Sequence, residues 1–311
     1  MIFERQQLEA FATVVETQNL GMAATRLNVT RGALSQRIKS LEEAAGTLLV
    51  VRDQNTPTAA GQALLRHIRV LEILEADTLE QFKPTNAAHL PITIAVNADS
   101  LATWFEIVAF EIMEKKVALE LLVGDVDYAL PLLAGGAAMG CISTSDESPS
   151  GFRAESIGAM EYTCVANPGF AERFFSLGMS LHSILDAPAV LANRESRLHA
   201  AFLYSVLGLK AKGYTGHFFP SPSARLNAIE RGVGYGLVPG EQAQPWIDSG
   251  KLMVLAPEHK VTVDLYWHHW EIAPENVQAI SKFIVRRARE RLIQPASGMM
   301  PEVDRDNSVW E

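Results

Sequence analysis

At 311 residues, 48% of them hydrophobic, the chain is long enough for two or three domains with real cores. A formal net charge of −9, from 36 acidic against 27 basic residues, argues against a general nucleic-acid coat. Two cysteines, Cys141 and Cys164, are too few and too ill-spaced for a metal knuckle or a disulfide framework, and no apolar run approaches membrane-spanning length. The opening MIFERQQLEAF reads as an amphipathic helix start rather than a signal peptide, so a reducing cytoplasm is the expected setting.

In chain order, Gln6 to Thr17 forms a first helix with Leu8, Phe11, Ala12 and Val15 on one side. Asn19 to Leu41, NLGMAATRLNVTRGALSQRIKSL, then reads as two short helices joined by a tight turn. The small pair Ala23 and Ala24 admits a close helix crossing, Asn28 to Thr30 make the turn, and Thr30 caps the second helix. Leu34, Ile38 and Leu41 recur at helical spacing, which buries one face. The other face carries Gly32, Ser35, Gln36 and Lys39, with Arg31 at its N-terminal end. Such a helix suits the DNA major groove, and it equally fits an ordinary αα-corner.

A short strand at Leu48 to Arg52 follows, then a polar turn at Asp53 to Pro57. Thr58 caps a long helix that runs to about Phe82, with Leu64, Ile68, Leu71, Leu74, Leu79 and Phe82 in a near-heptad stripe. That stripe must bury itself, either on the chain's own later domain or, as we expect for Leu64, Ile68, Leu71 and Leu74, in an antiparallel dimer.

Met1 to Gly61 resembles the winged helix-turn-helix of LysR-type transcriptional regulators. The likeness is carried by AATRLNVTRGALSQRIKSLE, by LLVVR where the family usually has LFxR, and by TPTAAG opening the linker helix. It departs at Arg31-Gly32, where family members usually carry glutamine followed by serine or proline, and at Met22, which replaces a common aromatic. The resemblance implies a double-stranded DNA operator as partner, a linker-helix dimer, and DNA contacts from Arg31, Gly32, Ser35, Gln36, Lys39 and Arg52. The charge balance is compatible with this. Through Asp53 there are six basic and six acidic residues, and the bases fall mainly on the second helix of the pair and the wing.

Lys83 to His89 is a polar, proline-containing hinge. From Leu90 strands alternate with helices: ITIAV, a helix from about Ser100, VALELLV, a helix from about Val126, and MGCIS. A second set runs EYTCVAN, GFAERFF, APAVLAN, LHAAFLYSVL, HFFP, SARLNAIERG and GYGLVP, before VTVDLYWH leads back to a last helix at Glu275 to Leu292. This predicts an α/β architecture of two parallel sheets joined by crossing strands near Glu161 to Ala166 and Asp264 to His268. The expected organisation is a DNA-binding module at 1–58, a linker helix and hinge at 59–89, and a bilobed, periplasmic-binding-protein-like effector domain at 90–294. Lobe I takes about 90–163 and 267–294, lobe II about 164–266, and the aperiodic tail 295–311 is expected to be disordered.

In such sheets ligands sit at the carboxyl ends of strands, where helix N-termini present backbone N–H groups. IAVNADSLATWF places Asn97, Asp99 and Ser100 at such a junction, where Ser100 suits a ligand carboxylate and where simple helix capping also explains the residue types. NADSLATWF, RLHAAFL, YWHHW followed by AP, and IGAMEYTCVANPGFAERFF resemble the ArgP/LysG branch, regulators responsive to lysine and arginine. The likeness departs at GDVDYAL and ANRESRL. The resemblance implies a lysine or arginine effector and control of basic amino-acid export or metabolism. A cationic ligand end needs an acid, for which Asp125, Asp127 and Glu195 are candidates and also ordinary solvated loop acids. Ser143, Thr144 and Asn193 are further polar candidates for the cleft.

Enzyme and metal readings find no support. No GxSxG elbow occurs, adjacent His268 and His269 face opposite sides of a strand, and Gly232 to Gly236 follows a helix and enters a strand, opposite to a dinucleotide site. Cys141 and Cys164 fall in expected buried strands, where thiols are inert. The expectation is therefore a non-enzymatic LysR-type regulator without cofactor or membrane association, forming a homodimer or homotetramer, with RNA polymerase as a candidate partner. Two alternatives are a LysR-type regulator with another effector and a ligand-independent nucleoid or replication-origin DNA-binding protein.

Overall fold

The structure, a computed structural model, describes residues 3–51, 53–82, 91–124, 126–194, 197–211 and 213–294. The roles expected of Arg52, Asp125 and Glu195, the hinge at 83–89 and the tail at 295–311 fall outside these described residues, as does the side chain of Asp127.

Three helices, α1 (Arg5–Thr17), α2 (Leu20–Arg26) and α3 (Arg31–Ala45), pack around Phe11, Ala23, Leu34, Ile38 and Leu41. Asn19 caps α2 by accepting from the Gly21 and Met22 amides, and Thr30 caps α3 by accepting from Ala33 N at 3.2 Å. Each such cap is worth about 1 kcal/mol. The wing is a two-strand ribbon, β1 (Val50–Val51) against β2 (Thr56–Pro57). Glu42 at the end of α3 fixes it, its carboxylate accepting from the Leu49 and Val50 amides at 2.8 and 3.3 Å.

The long helix α4 (Ala59–Phe82) is capped by Thr58, whose hydroxyl accepts from Gly61 N at 3.1 Å. Gly61 lets the helix approach the wing, since a Cβ there would lie 2.2 Å from the Leu49 carbonyl oxygen. The expected dimer stripe is corrected in part. Leu64 and Ile68 are only 7% and 8% exposed because they complete the chain's own winged-helix core, with Leu71 packed at its edge. The outward apolar residues come later: Leu74, Leu79 (66% exposed) and Phe82 (77%). Between these, Ile73 enters the core of the following domain, and Arg66 donates to the Ala134 carbonyl at 2.7 Å while lying over the Phe152 ring. One helix thus joins two cores.

Lobe I begins with β3 (Ile92–Asn97), α5 (Ala98–Ser100), a π-helical turn (Leu101–Phe105) and α6 (Glu106–Glu114). It continues with β4 (Leu119–Gly124), α7 (Val126–Ala134) and β5 (Gly140–Ser143), and β3 pairs in parallel with both β4 and β5. β6 (Phe152–Ala166) carries the chain into lobe II. There α8 (Pro168–Phe175), α9 (Leu181–Asp186), β7 (Ala189–Leu191), α10 (Arg197–Leu207), β8 (Gly216–Phe218), α11 (Pro222–Glu230), β9 (Gly236–Pro239), α12 (Gly240–Asp248) and β10 (Met253–Val254) follow. β11 (Val261–Trp270) returns to lobe I, and α13 (Glu275–Arg291) closes it.

The crossing strands β6 and β11 join the sheets of the two lobes, as expected, into one path of order β10-β6-β11-β5-β3-β4 with β9 also on β6, while β7 and β8 form a parallel pair whose Ala189 bridges to Tyr235 just before β9. The two crossing strands run antiparallel to each other, and β6 begins at Phe152, nine residues before the expected start at Glu161. Their shared irregularity lies at Gly158 (φ +117°), opposite a register shift between Leu265 and Tyr266. That positive φ favours glycine, and a Cβ there would also meet Leu292 and Ile293 within 3 Å. Sequence patterning gave no notice of α9, α12 or β10.

Candidate functional site

On α3 the buried residues Leu34, Ile38 and Leu41 turn Arg31, Gly32, Ser35, Gln36 and Lys39 outward, all of them exposed. The Arg31 guanidinium lies across the start of α2, where a Cβ on Gly21 would come within 2.5 Å of it. Lys39 meets Glu43 at 3.7 Å, a solvent-exposed pair too weak to prevent the amine from turning to a phosphate. Arg37 instead donates to Gln6 Oε1 at 3.0 Å and ties α3 to α1. Met22, which replaces a common aromatic of the family, is 62% exposed and sits beside Arg31 in a shallow depression. The result is a protruding helix with a hydrogen-bonding face, a cation at its N-terminus and a ribbon wing. It has the shape and chemistry of a major-groove reader.

The second constellation lies between the lobes, at the carboxyl end of β3. Asn97 is the N-cap of α5, yet its side chain makes no capping bond, and its Oδ1 is buried without a partner. Ser100 is fully buried and its hydroxyl is also unpartnered, so capping does not account for either residue. Asp99 reaches across to lobe II, where the Arg225 guanidinium pairs with its Oδ1. Tyr162, on the crossing strand β6, donates from its hydroxyl to Asp99 Oδ2 at 3.1 Å. Burial, then the Asp99 carboxylate beside it, pushes the Tyr162 phenol well above its ordinary range, so it remains a donor. The helix after Ser100 is kinked through Thr103 (φ −127°, ψ −110°), whose hydroxyl donates to the Asp99 carbonyl at 2.7 Å. Buried Trp104 and Phe105 lock the bulge, a distortion often found at functional positions.

Of the other expected cleft residues, Ser143 is buried, but its hydroxyl accepts from Ser145 N at 3.1 Å, and Thr144 faces solvent. Their loop is tied down by His268. Its Nε2 donates to the Ser145 carbonyl and its Nδ1 accepts from Ser148, both at 2.8 Å. Asn193 follows β7 and is partly buried. The structure therefore brings Asn97, Asp99 and Ser100 together, and leaves Ser143 and Thr144 in a self-contained loop.

Sequence reasoning missed Arg225 and Tyr162. Arg225 lies on the buried side of α11 with Pro222, Leu226 and Ile229, and is only 3% exposed. A guanidinium on the apolar face of a short helix was a visible signal, since such a charge requires a partner. Lobe II also holds a buried aromatic cluster in which His199 contacts Tyr214 and Tyr235. Burial lowers the His199 imidazole to about 4. The same cause raises the Cys141 thiol to about 12 and raises Cys164 as well, which leaves both thiols inert. A cavity of about 320 Å³ lies elsewhere along the crossing strands, lined by Thr103, Trp104, Thr163, Glu241 and Lys260 but not by Asn97, Asp99, Ser100 or Arg225. Among the described residues no cluster of His, Cys, Asp and Glu is arranged to hold a metal, and no helix is long and apolar enough to cross a membrane.

Residues 5–62 match the model for bacterial regulatory helix-turn-helix proteins of the lysR family, and residues 107–289 match the LysR substrate binding domain. The transcriptional regulator ArgP of Photobacterium profundum is 33% identical over 288 residues, 92% of this chain and 97% of that protein. The crystal structure of ArgP from Mycobacterium tuberculosis superposes with a TM-score of 0.84 at 32% identity, covering 94% of this chain and all of that one. Full-length LysG from Corynebacterium glutamicum with bound effector Arg gives 0.77 at 26% identity, again over 94% of this chain and all of that one.

Proposed function

The chain belongs to the LysR family of bacterial transcriptional regulators, a DNA-binding regulator and not an enzyme, and from that premise we propose that its inter-lobe cleft senses lysine or arginine. In this reading the protein acts in the cytoplasm on an operator that controls basic amino-acid export or metabolism, and it thereby governs access of RNA polymerase. Arg31, Ser35 and Gln36 face base edges, Gly32 allows close approach, and Lys39 and Arg52 meet phosphates. The protein works as a homodimer or homotetramer. Its α4 seam is formed by the exposed residues Leu74, Leu79 and Phe82, with Leu71 at the margin, rather than by Leu64 and Ile68.

The observation that carries the effector assignment is the buried Ser100 hydroxyl inside NADSLATWF, a hydrogen-bonding group withdrawn from water with no partner among the described residues. The LysG structure with arginine supports the same ligand class here. Ser100 and the amides beside it take the ligand carboxylate, and an acid at Asp125, Asp127 or Glu195 takes the distal cation. Titration calorimetry on the full chain tests this. Lysine or arginine is expected to bind, weakened in Ser100→Ala and in one of Asp125→Asn or Asp127→Asn, with leucine and glutamate far weaker. Binding of another ligand alone, with neither basic amino acid bound, contradicts the assignment.

A further inference from the structure

We infer that the Asp99–Arg225 pair is the receptor for an α-amino-acid head group, and that the effector enters by inserting its zwitterion between the two charges. The inference rests on the cleft being the effector site, and adds how the head is read and by which residues.

Among the described residues, three buried polar atoms without hydrogen-bond partners belong to the pair or to its neighbours in the chain: the acceptor Asn97 Oδ1 and the hydroxyl Ser100 Oγ, on either side of Asp99, and the donor Arg225 Nε. Two come from lobe I at the end of β3, and the third reaches in from lobe II on α11. Buried polar groups are nearly always satisfied, so three unpartnered groups on one ion pair and its chain neighbours offer a matched set of one acceptor, one hydroxyl and one donor. An ammonium satisfies an acceptor, and a carboxylate satisfies a guanidinium N–H and a hydroxyl. The set matches the head of an amino acid, with the ammonium on Asp99 Oδ1 and Asn97 Oδ1 and the carboxylate on Arg225 Nε and Ser100 Oγ.

Charge balance selects the zwitterion over either half of it. Opening the pair strands two charges away from water, which is strongly unfavourable. A zwitterion supplies each with an opposite charge and leaves the net charge unchanged. An amine alone strands Arg225, and a carboxylate alone strands Asp99. Tyr162 keeps hold of Asp99 Oδ2 throughout and fixes the orientation of the acid. Because Arg225 belongs to lobe II and Asp99 to lobe I, the exchange also changes what bridges the lobes, from a direct ion pair to one relayed by ligand.

The test is calorimetric titration of full-length protein with L-arginine, L-lysine, agmatine (arginine without its carboxylate) and Nα-acetyl-arginine. Agmatine and the acetylated form are expected to bind roughly 30-fold or more weaker than arginine, the range expected when one buried charge is left unpaired. Agmatine binding as tightly as arginine overturns the head-group inference and leaves the basic-effector reading standing. If neither basic amino acid binds but another free α-amino acid does, and its amide does not, the head-group inference stands and the basic-effector reading falls. Binding by no α-amino acid overturns both. A conservative variant, Arg225→Lys, keeps the charge but lacks the Nε donor, and is expected to retain the fold by thermal unfolding while losing at least about tenfold in arginine affinity. Full affinity in Arg225→Lys contradicts the role given to Nε. If that variant does not fold, the wild-type analogue series decides alone.

Discussion

Helix α3 and the inter-lobe cleft hold their polar groups in opposite surroundings. On α3, Arg31, Ser35, Gln36 and Lys39 stand in water on a frame of Leu34, Ile38 and Leu41, and nothing inside the protein depends on them. In the cleft, Ser100 and Arg225 are buried and Asp99 is partly so, and Asp99 and Arg225 each depend on a partner far away in the chain. An exposed reading surface can therefore be retuned one residue at a time. A largely buried ion pair cannot, because a change that strands one charge is felt by the fold as well.

The largest expected break in that contrast is Arg225→Leu. It leaves the partly buried Asp99 carboxylate with the Tyr162 hydroxyl but without its cation, and should destabilise the effector lobes by about 3–5 kcal/mol. All five tryptophans, Trp104, Trp246, Trp267, Trp270 and Trp310, lie outside residues 1–82, so urea unfolding followed by tryptophan fluorescence reads the effector part selectively. An unchanged midpoint contradicts a stabilising Asp99–Arg225 pair between the lobes.

On the DNA side the matching effects sit beneath the reading surface. Ile68→Ala removes a side chain from the winged-helix core and is expected to cost roughly 2–4 kcal/mol there, lowering amide protection across α1 to α3. Leu79→Ala, at a residue 66% exposed, should leave that protection unaltered and weaken self-association, read by sedimentation. Equal loss of protection in both variants would show that α4 is covered differently from this account.

The pH response should separate the regions as well. His199 is held neutral, lowered to about 4 against an ordinary 6.5, so the unfolded chain binds a proton that the folded lobe does not. Its stabilisation is complete above about pH 6.5 and lost as pH falls toward 4, by about 1.4 kcal/mol per unit at most. His199→Gln should flatten that slope in the tryptophan signal. The winged module has no buried histidine, and its protection should not follow the same curve.

The smallest effects belong to the exposed helix. Gln36→Ala should relax preference at a single base position by about 1–3 kcal/mol without altering stability. Lys39→Ala should weaken all sequences alike and reduce the salt dependence by about one phosphate contact. Selection of binding sites in vitro distinguishes them. An unchanged preference in Gln36→Ala means that α3 is turned the wrong way.

The same contrast explains what could be read in advance. Thr30, Leu34, Ile38 and Leu41 announce α3 within a dozen residues, because a cap and a helical period are local. The junction at Asn97 to Ser100 was also visible, since a strand running into a helix puts those residues at a carboxyl edge. Arg225 stands 126 residues from its partner Asp99, and no local pattern carries that pairing. The first half of β6 carries no clear strand signal, since Arg153 and Glu155 interrupt its apolar residues. They are held in a strand by the β11 ladder, with Glu271 and His269 as partners. The stripe on α4 was correctly apolar, but periodicity says only that a face is covered. Leu64 and Ile68 are covered by their own domain.

The central claim is that this chain reads a defined DNA site and that a basic amino acid in the cleft alters the reading. Footprinting of the full-length protein on genomic fragments that it selects itself, with and without saturating L-arginine or L-lysine, tests both parts at once. The account predicts a bounded protected site whose extent or pattern changes with the amino acid, and a loss of that change, though not of the site, in Ser100→Ala. Protection that follows no sequence and that no amino acid alters would contradict it, and would fit a ligand-independent nucleoid protein instead.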